Sequence, residues 1–347
     1  MLENRLGFVP LVVVMVGLWI AACREIPQPV ELLRVAGFVE TPGYVRSIFQ
    51  EDEFLFLANG EAGVTVIATS SPIPPGVGIP PEFYAHWDDP SVEDYARGIW
   101  KAPGDSLLYV ADTDGGILIL RLSPDSLGLS YVNSEFGRNL QDITGWVVQD
   151  TPYLYVADQD DGLVVYDASY PGFLNLLVTI PLTGYARGVY LDAHAGRLYV
   201  AQGQAGLAIF DISTDPAQPA LLSNIDLPGD ARKVYVQEGI AYVAAREQGL
   251  MLVDVSDPSN PSLLSSVDFN GYAWDVVARN DTAWVAAGGD GLQWVDCTDP
   301  TSPVVIANLP CDYGYSVDQV GDYVILGGRQ GLYWILPNPS GSQKGLP

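Results

Sequence analysis

The chain has 347 residues, 48% of them apolar and 11% aromatic, which is enough material for a large core. Its 42 acidic against 16 basic side chains leave a formal net charge of −26. Such a surface repels nucleic acid and anionic headgroups, which disfavours duplex binding and favours cations or basic partners; the other reading is that the acidity only keeps the protein soluble.

In chain order, the first segment differs from all the rest. Arg5 ends a short polar start, Leu6 to Ala22 is an uncharged apolar run, and Ile20, Ala21, Ala22 and Cys23 close it. This pattern predicts an export signal over residues 1–22. The four closing residues resemble the lipobox of bacterial lipoproteins, which implies that Cys23 becomes the acylated first residue of the mature protein. At roughly 0.8 kcal/mol per buried methylene, several acyl chains hold a protein on a membrane without a spanning helix. The alternative is an uncleaved anchor, since 17 apolar residues reach the lower edge of what spans a bilayer. In lipoproteins an aspartate after the cysteine favours inner-membrane retention; here Arg24 follows, so the resemblance points to an outer membrane where the cell has one. Residues 23–30, with Pro27 and Pro29, read as an extended tether.

Beyond the tether the chain repeats itself. Gly63, Gly116, Gly162, Gly206, Gly249, Gly291 and Gly331 each separate a polar turn from an apolar strand, at spacings of 53, 46, 44, 43, 42 and 40 residues. A period of about 40 to 45 residues rich in strand formers is a β-propeller blade, and one period through the chain argues for one closed array. The unit at Gly184 is clearest: Val189 to Leu191, Arg197 to Ala201, Gly206 to Ile212 and Ala220 to Leu227 are four short antiparallel strands. The expected architecture is all-β, a seven-bladed propeller over residues 31–337. The third strands, such as Leu163 to Asp167 and Leu250 to Asp254, lead into Asp, Ser and then Pro. In this they resemble the LVIVD repeat family of bacterial and archaeal surface proteins, over nearly the whole mature chain. The resemblance implies a propeller and a surface location and carries no activity.

The ends predict how the ring closes. After Gly331 only a third strand, Leu332 to Leu336, remains before a Gly, Ser and Pro-rich tail over residues 338–347. Glu31 to Ala36 aligns with the fourth strand Ser262 to Val267, so the N-terminal strand is expected to complete the last blade and remove two free edges. The 53-residue first gap is ascribed to a loop over Ser70 to Pro81, which carries five prolines. Cys297 and Cys311 lie at opposite ends of a strand, too far apart for a bridge, and are expected to be buried free thiols.

Chemistry is sparse. The entry to the first strands repeats an aromatic and an arginine: Tyr44 and Arg46, Tyr95 and Arg97, Tyr185 and Arg187, then Arg232, then Tyr272 and Trp274. The copies at Thr144 and at Tyr313 to Tyr315 lack the arginine, though Tyr315 keeps an aromatic. This column should ring one mouth of the channel, among acidic turns at Asp112, Asp158, Glu247 and Asp290. One reading is structural, because a motif in most blades serves the repeat: each arginine staples an acidic turn of an adjacent blade. The other is a funnel for an anionic or sugar-like ligand, by charge and ring stacking. Asp112 to Gly115 and Asp158 to Gly162 lack the later bidentate carboxylate of a calcium loop, so no metal is expected. Neither of the two histidines, His86 in an outer strand and His194 in a turn, belongs to a metal pair or triad. No catalytic residue and no cofactor is singled out. The expectation is a monomeric envelope binding or scaffold module, held on a membrane through Cys23, with a protein or glycan partner. The alternative is an envelope polysaccharide hydrolase or lyase with its site in the funnel.

Overall fold

A computed structural model describes residues 32–68, 83–88, 95–123, 128–135, 139–170 and 172–338. The signal segment, Cys23, the tether, the proline-rich loop over Ser70 to Pro81 and the tail after Asn338 lie outside the described residues. The described chain forms 28 β-strands in seven four-stranded antiparallel sheets, a seven-bladed propeller. Among the described residues no helix is long and apolar enough to cross a membrane.

Each blade arises from the same local chemistry. In blade four, Gly188–Asp192, Arg197–Ala201, Leu207–Asp211 and Ala220–Ile225 run as consecutive antiparallel neighbours. Second and third strands are apolar on both faces, because each blade packs between two others. Leu198, Val200, Ala208 and Phe210 are fully buried against Tyr155, Val165 and Ile212. Each of the Leu, Val and Phe side chains contributes about 1.5–3 kcal/mol by leaving water. Fourth strands lie outermost and expose single apolar residues such as Leu221 and Leu263. Their descending Asp-Ser and Asp-Thr turns cap themselves: Ser213 N and Oγ donate to Asp211 Oδ1 at 2.9 and 2.6 Å. Asp211 and Asp254 are accordingly held below the usual carboxylate range by their serine partners.

The repeating glycine has a steric cause. Gly206 sits at φ +78° beneath the end of its fourth strand, where an added Cβ would collide with the Ile225 carbonyl oxygen. An added Cβ at Gly331 would collide with the carbonyl oxygen of Val39. Val39 therefore stands in blade seven where Ile225 stands in blade four.

Blade seven is indeed built from both ends of the chain. Its first three strands are Gly314–Val320, Tyr323–Gly328 and Gly331–Pro337, and Leu33–Glu40 pairs outside the last. The closing strand runs further than the aligned Glu31 to Ala36. Leu33 opposes Pro337 and Glu40 opposes Gly331, with a bulge between Val35 and Gly37. That antiparallel register sends both Leu33 and Pro337 to the face opposite the turn that precedes Gly331. Asn338 N extends the pairing by donating to Leu32 O at 2.8 Å.

Both remaining cysteines are free thiols, as expected, but only Cys297 is buried; Cys311 is half-buried, packed at the edge of the blade six and seven cluster. Burial pushes Cys297 up to about 12 and Cys311 up to about 11.

Candidate functional site: the channel mouth

The turn between strands two and three of one blade clasps the entry to the next. Gly203 N donates to Ala231 O at 3.1 Å and Ala231 N donates back to Gly203 O at 3.0 Å. Gly60 with Ala96, Arg246 with Ala273 and Gly288 with Gly314 make the same bridge. The small residue is required by that close approach, and the residue after it is then fixed. Its N–H bonds the last alanine of its own second strand: Arg46 to Ala58, Arg187 to Ala201, Arg232 to Ala244 and Trp274 to Ala286, at 2.7–2.9 Å.

Those residues meet at one mouth of the channel. Arg46, Arg97, Gln141, Arg187, Arg232, Trp274 and Tyr315, one from each blade, line a cleft of about 50 Å³ floored by Lys233. All four arginines expected there are present. Blade three supplies Gln141, not Thr144. Its first strand begins at Leu140, with a bulge before Asp142, and Leu140 occupies the alanine position. A large residue in the small column hid this copy of the motif in the sequence.

A rim surrounds the ring. Tyr44, Tyr185 and Tyr272 are 39%, 56% and 42% exposed. Tyr44 stacks on Tyr315 with centroids 5.8 Å apart, Tyr313 lies 4.6 Å from Tyr315, and Trp274 Nε1 donates to Tyr313 Oη at 3.0 Å. The aromatics thus cluster on blades one, six and seven, and the cations reach in from blades one, two, four and five. Tyr95, half-buried, lies under two guanidinium groups, those of Arg46 at 5.2 Å and Arg97 at 4.7 Å. Arg46 also lies 4.4 Å from the Tyr315 centroid and 5.7 Å from that of Trp274. Two further arginines that the sequence did not single out join the rim. Arg246 sits 4.9 Å over Tyr272 and Arg329 sits 5.3 Å over Tyr313.

The partners of Arg187 and Arg97 are an amide and a hydroxyl group, where an acidic turn of an adjacent blade was one expectation. Arg187 does reach the turn of blade three, but its partner is the amide oxygen of Gln159. Arg97 Nε donates to Thr113 Oγ1 of its own blade at 3.0 Å. Carboxylate pairs at the mouth join Asp230 with Arg232 at 2.8 Å and with Arg246 at 3.3 Å, and Glu247 with Arg246 at 3.5 Å. Backbone N–H groups also draw on the acidic turns: Asp112 accepts from those of Tyr95, Asp114 and Gly115, and Asp158 from those of Asp160 and Asp161. Burial first, then mutual repulsion, lowers Arg97 to about 10; burial lowers Arg232 to the same value, against the pull of Asp230.

One layer deeper the channel is braced. Lys233 Nζ pairs with Asp142 Oδ1 at 2.7 Å, spanning blades three to five, and Asp142 Oδ2 accepts from Val189 N at 2.9 Å. Asp275, the third charge of the layer, accepts from Val276 and Val317 N–H groups at 2.9 and 3.0 Å. Loss of solvent raises it to about 6. Glycines make room: an added Cβ at Gly98 would lie 2.8 Å from Asp142 Oδ1. Farther down, Tyr190 and Tyr235 pack with centroids 5.0 Å apart and Trp100 lies against Gly145. Asp318 stands near Tyr235, raised to about 7 by loss of solvent and by Asp275.

His86 lies in the outer strand Phe83–Trp87, with Nδ1 3.1 Å from Thr65 Oγ1. His194 caps a turn on the face away from the mouth through Asp192. No cluster of three or more metal-ligating side chains occurs among the described residues.

No curated protein matches this sequence. A crystal structure of the computationally designed Ika8 protein is similar in fold, with a TM-score of 0.58 at 9% identity, over 88% of this chain and 100% of that one. The LVIVD repeat matches residues 148–180, 184–226, 228–269 and 270–309, so the repeat is carried by most of blade three and by blades four, five and six, a narrower span than the expected whole mature chain.

Proposed function

We propose that the protein is an exported, lipid-anchored binding module of the cell envelope that takes an anionic ligand at the channel mouth. The observation that carries this reading is the convergence of Arg46, Arg97, Arg187 and Arg232 on one small cleft in a chain of net charge −26. Gathering like charges and stripping their water costs stability, and the aligned blades show that the fold does not require it, since Gln141, Trp274 and Tyr315 fill the same position. A bound anion offsets both costs.

The topology supports presentation of that mouth away from a membrane. Leu33 and Pro337 leave the propeller on the opposite face. Nine residues separate Leu33 from Cys23, a reach of at most about 36 Å. That exit point favours a lipid under the far face, with the arginines turned outward.

Fractionation and binding test the two halves of the reading. The wild type should sediment with membranes and Cys23→Ser should be released. Arg97→Gln with Arg232→Gln should lose retention on immobilised acidic glycan while melting as before. A membrane-bound Cys23→Ser protein would overturn the lipid anchor. Undiminished retention by the double variant would overturn the mouth, and release of reducing ends from the glycan would replace binding by hydrolysis.

A further inference from the structure

The geometry points to a narrower ligand: we infer that the mouth reads the end of a saccharide chain, holding one terminal oxyanion group on the arginines while the sugar ring lies on the tyrosine rim. This rests on the mouth being a binding site for anions.

The first argument is size. A space of about 50 Å³ accepts a single carboxylate, sulfate or phosphate group and little more. The Lys233–Asp142 brace crosses directly beneath it, so a chain cannot thread past the arginines. A pendant acidic group in the middle of a polymer would press both neighbouring residues against the tyrosine rim above that space. Only a terminal group enters head first.

The second argument is the division of the mouth. Guanidinium N–H groups face the cleft, and the Nε atoms of Arg187 and Arg232 are buried without a partner. Above them Tyr185 and Tyr272 stand exposed on either side of Asp230. Rings of this kind offer flat apolar faces and hydroxyl groups at the distance of the next residue from a bound head group, which suits a sugar better than a free inorganic ion.

The third argument is Arg246. It occupies the left-handed turn position, φ +45°, that Gly60, Gly203 and Gly288 fill in other blades at φ +59°, +59° and +54°. A non-glycine residue there is strained. In return its guanidinium sits over Tyr272 and Trp274, with a buried Nε lacking any partner. Arg246 is a specificity-determining residue that joins the cations of the mouth to the aromatic rim.

Calorimetric titration of the whole mature protein tests this with four probes. They are an oligosaccharide ending in a uronic acid, the same molecule with that acid methyl-esterified, one with internal acids only and neutral ends, and inorganic phosphate. The acid-ended probe should bind at least about tenfold more tightly than each of the other three, a gap of ~1.4 kcal/mol or more. Equal affinity for internal acids would overturn end recognition alone, leaving an anion-binding mouth. Equal affinity for phosphate would overturn the saccharide. Failure of all four to bind would remove the mouth itself. Arg246→Gly, which restores the residue used by other blades, should melt no lower than wild type yet lose about tenfold in affinity for the acid-ended probe. Unchanged affinity would remove Arg246 from the site.

Discussion

The wall of each blade and the mouth of the channel follow opposite rules. In the wall, position after position is the same kind of residue: Val200, Val243 and Val285 are fully buried in equivalent second strands, and Ala201, Ala244 and Ala286 end them. At the mouth, equivalent positions hold Arg46, Arg97, Gln141, Arg187, Arg232, Trp274 and Tyr315. The wall repeats because each sheet must fit two neighbours at close packing. The mouth varies because the channel asks little of its lining. Where the residues converge on one charge without a packing reason, the convergence is a property of the site and not of the fold.

Changes in the wall should cost stability and leave ligand affinity in the surviving fold intact; changes at the mouth should do the reverse. The largest effect is expected from deleting residues 30–38, which removes most of the strand that covers Gly331–Pro337 and leaves blade seven with a bare edge. The protein should unfold or oligomerise, and a cooperative monomeric melt after the deletion would show that closure is dispensable. Next comes Phe210→Ala, at a fully buried site, with an expected loss of about 3–5 kcal/mol by chemical denaturation. A loss much smaller than this would mean that neighbouring blades slide to fill the gap.

Third, Arg97→Gln should lower affinity for an acidic ligand about tenfold, with a melting temperature equal to or above wild type. The sign follows from the lowered value of Arg97, about 10: the folded state disfavours its charge, so removing the charge removes a cost. A clear drop in melting temperature would make this arginine a structural staple after all.

The smallest effect is a pH slope. Asp275 and Asp318 are raised to about 6 and about 7, well above the value of about 3.9 for an unfolded aspartate. Across that interval the native state binds more protons than the unfolded chain, so these groups favour folding below about pH 4 and lose that contribution as pH rises through 6 to 7. Asp211 and Asp254 work in the opposite sense, but their shifts act only as pH falls below the ordinary carboxylate range. Thermal melts between pH 5 and pH 8 should therefore decline with rising pH, and Asp318→Asn should flatten the decline. An unchanged slope in the variant would assign it elsewhere.

Much of the wall was legible beforehand because its signals are local. Gly206, the alternation through Arg197 to Ala201 and the Asp211 to Ser213 turn each declare themselves within a few residues. The mouth was legible where the motif stayed whole, as in Tyr185, Ala186 and Arg187. It failed at Gln141, where Leu140 replaced the alanine that marks the column, and at Arg246, where a glycine position carries a long cation. The closing strand was found, but aligned three residues early: the bulge that skips Ala36 matches the one that skips Leu264 in Ser262 to Val267, so Val39 and not Ala36 stands where Val267 stands.

The sequence alone determined the blade, its number of copies and the origin of the missing strand, because close packing and turn sterics recur with the repeat and are written in apolar periodicity and glycine. Only the tertiary structure decided that seven residues from seven blades share one cleft and that Lys233 braces its floor against Asp142. Those outcomes depend on distances between segments 40 to 270 residues apart, as in the bond from Ser316 Oγ to Val45 O at a separation of 271, and ring closure is what brings such segments together.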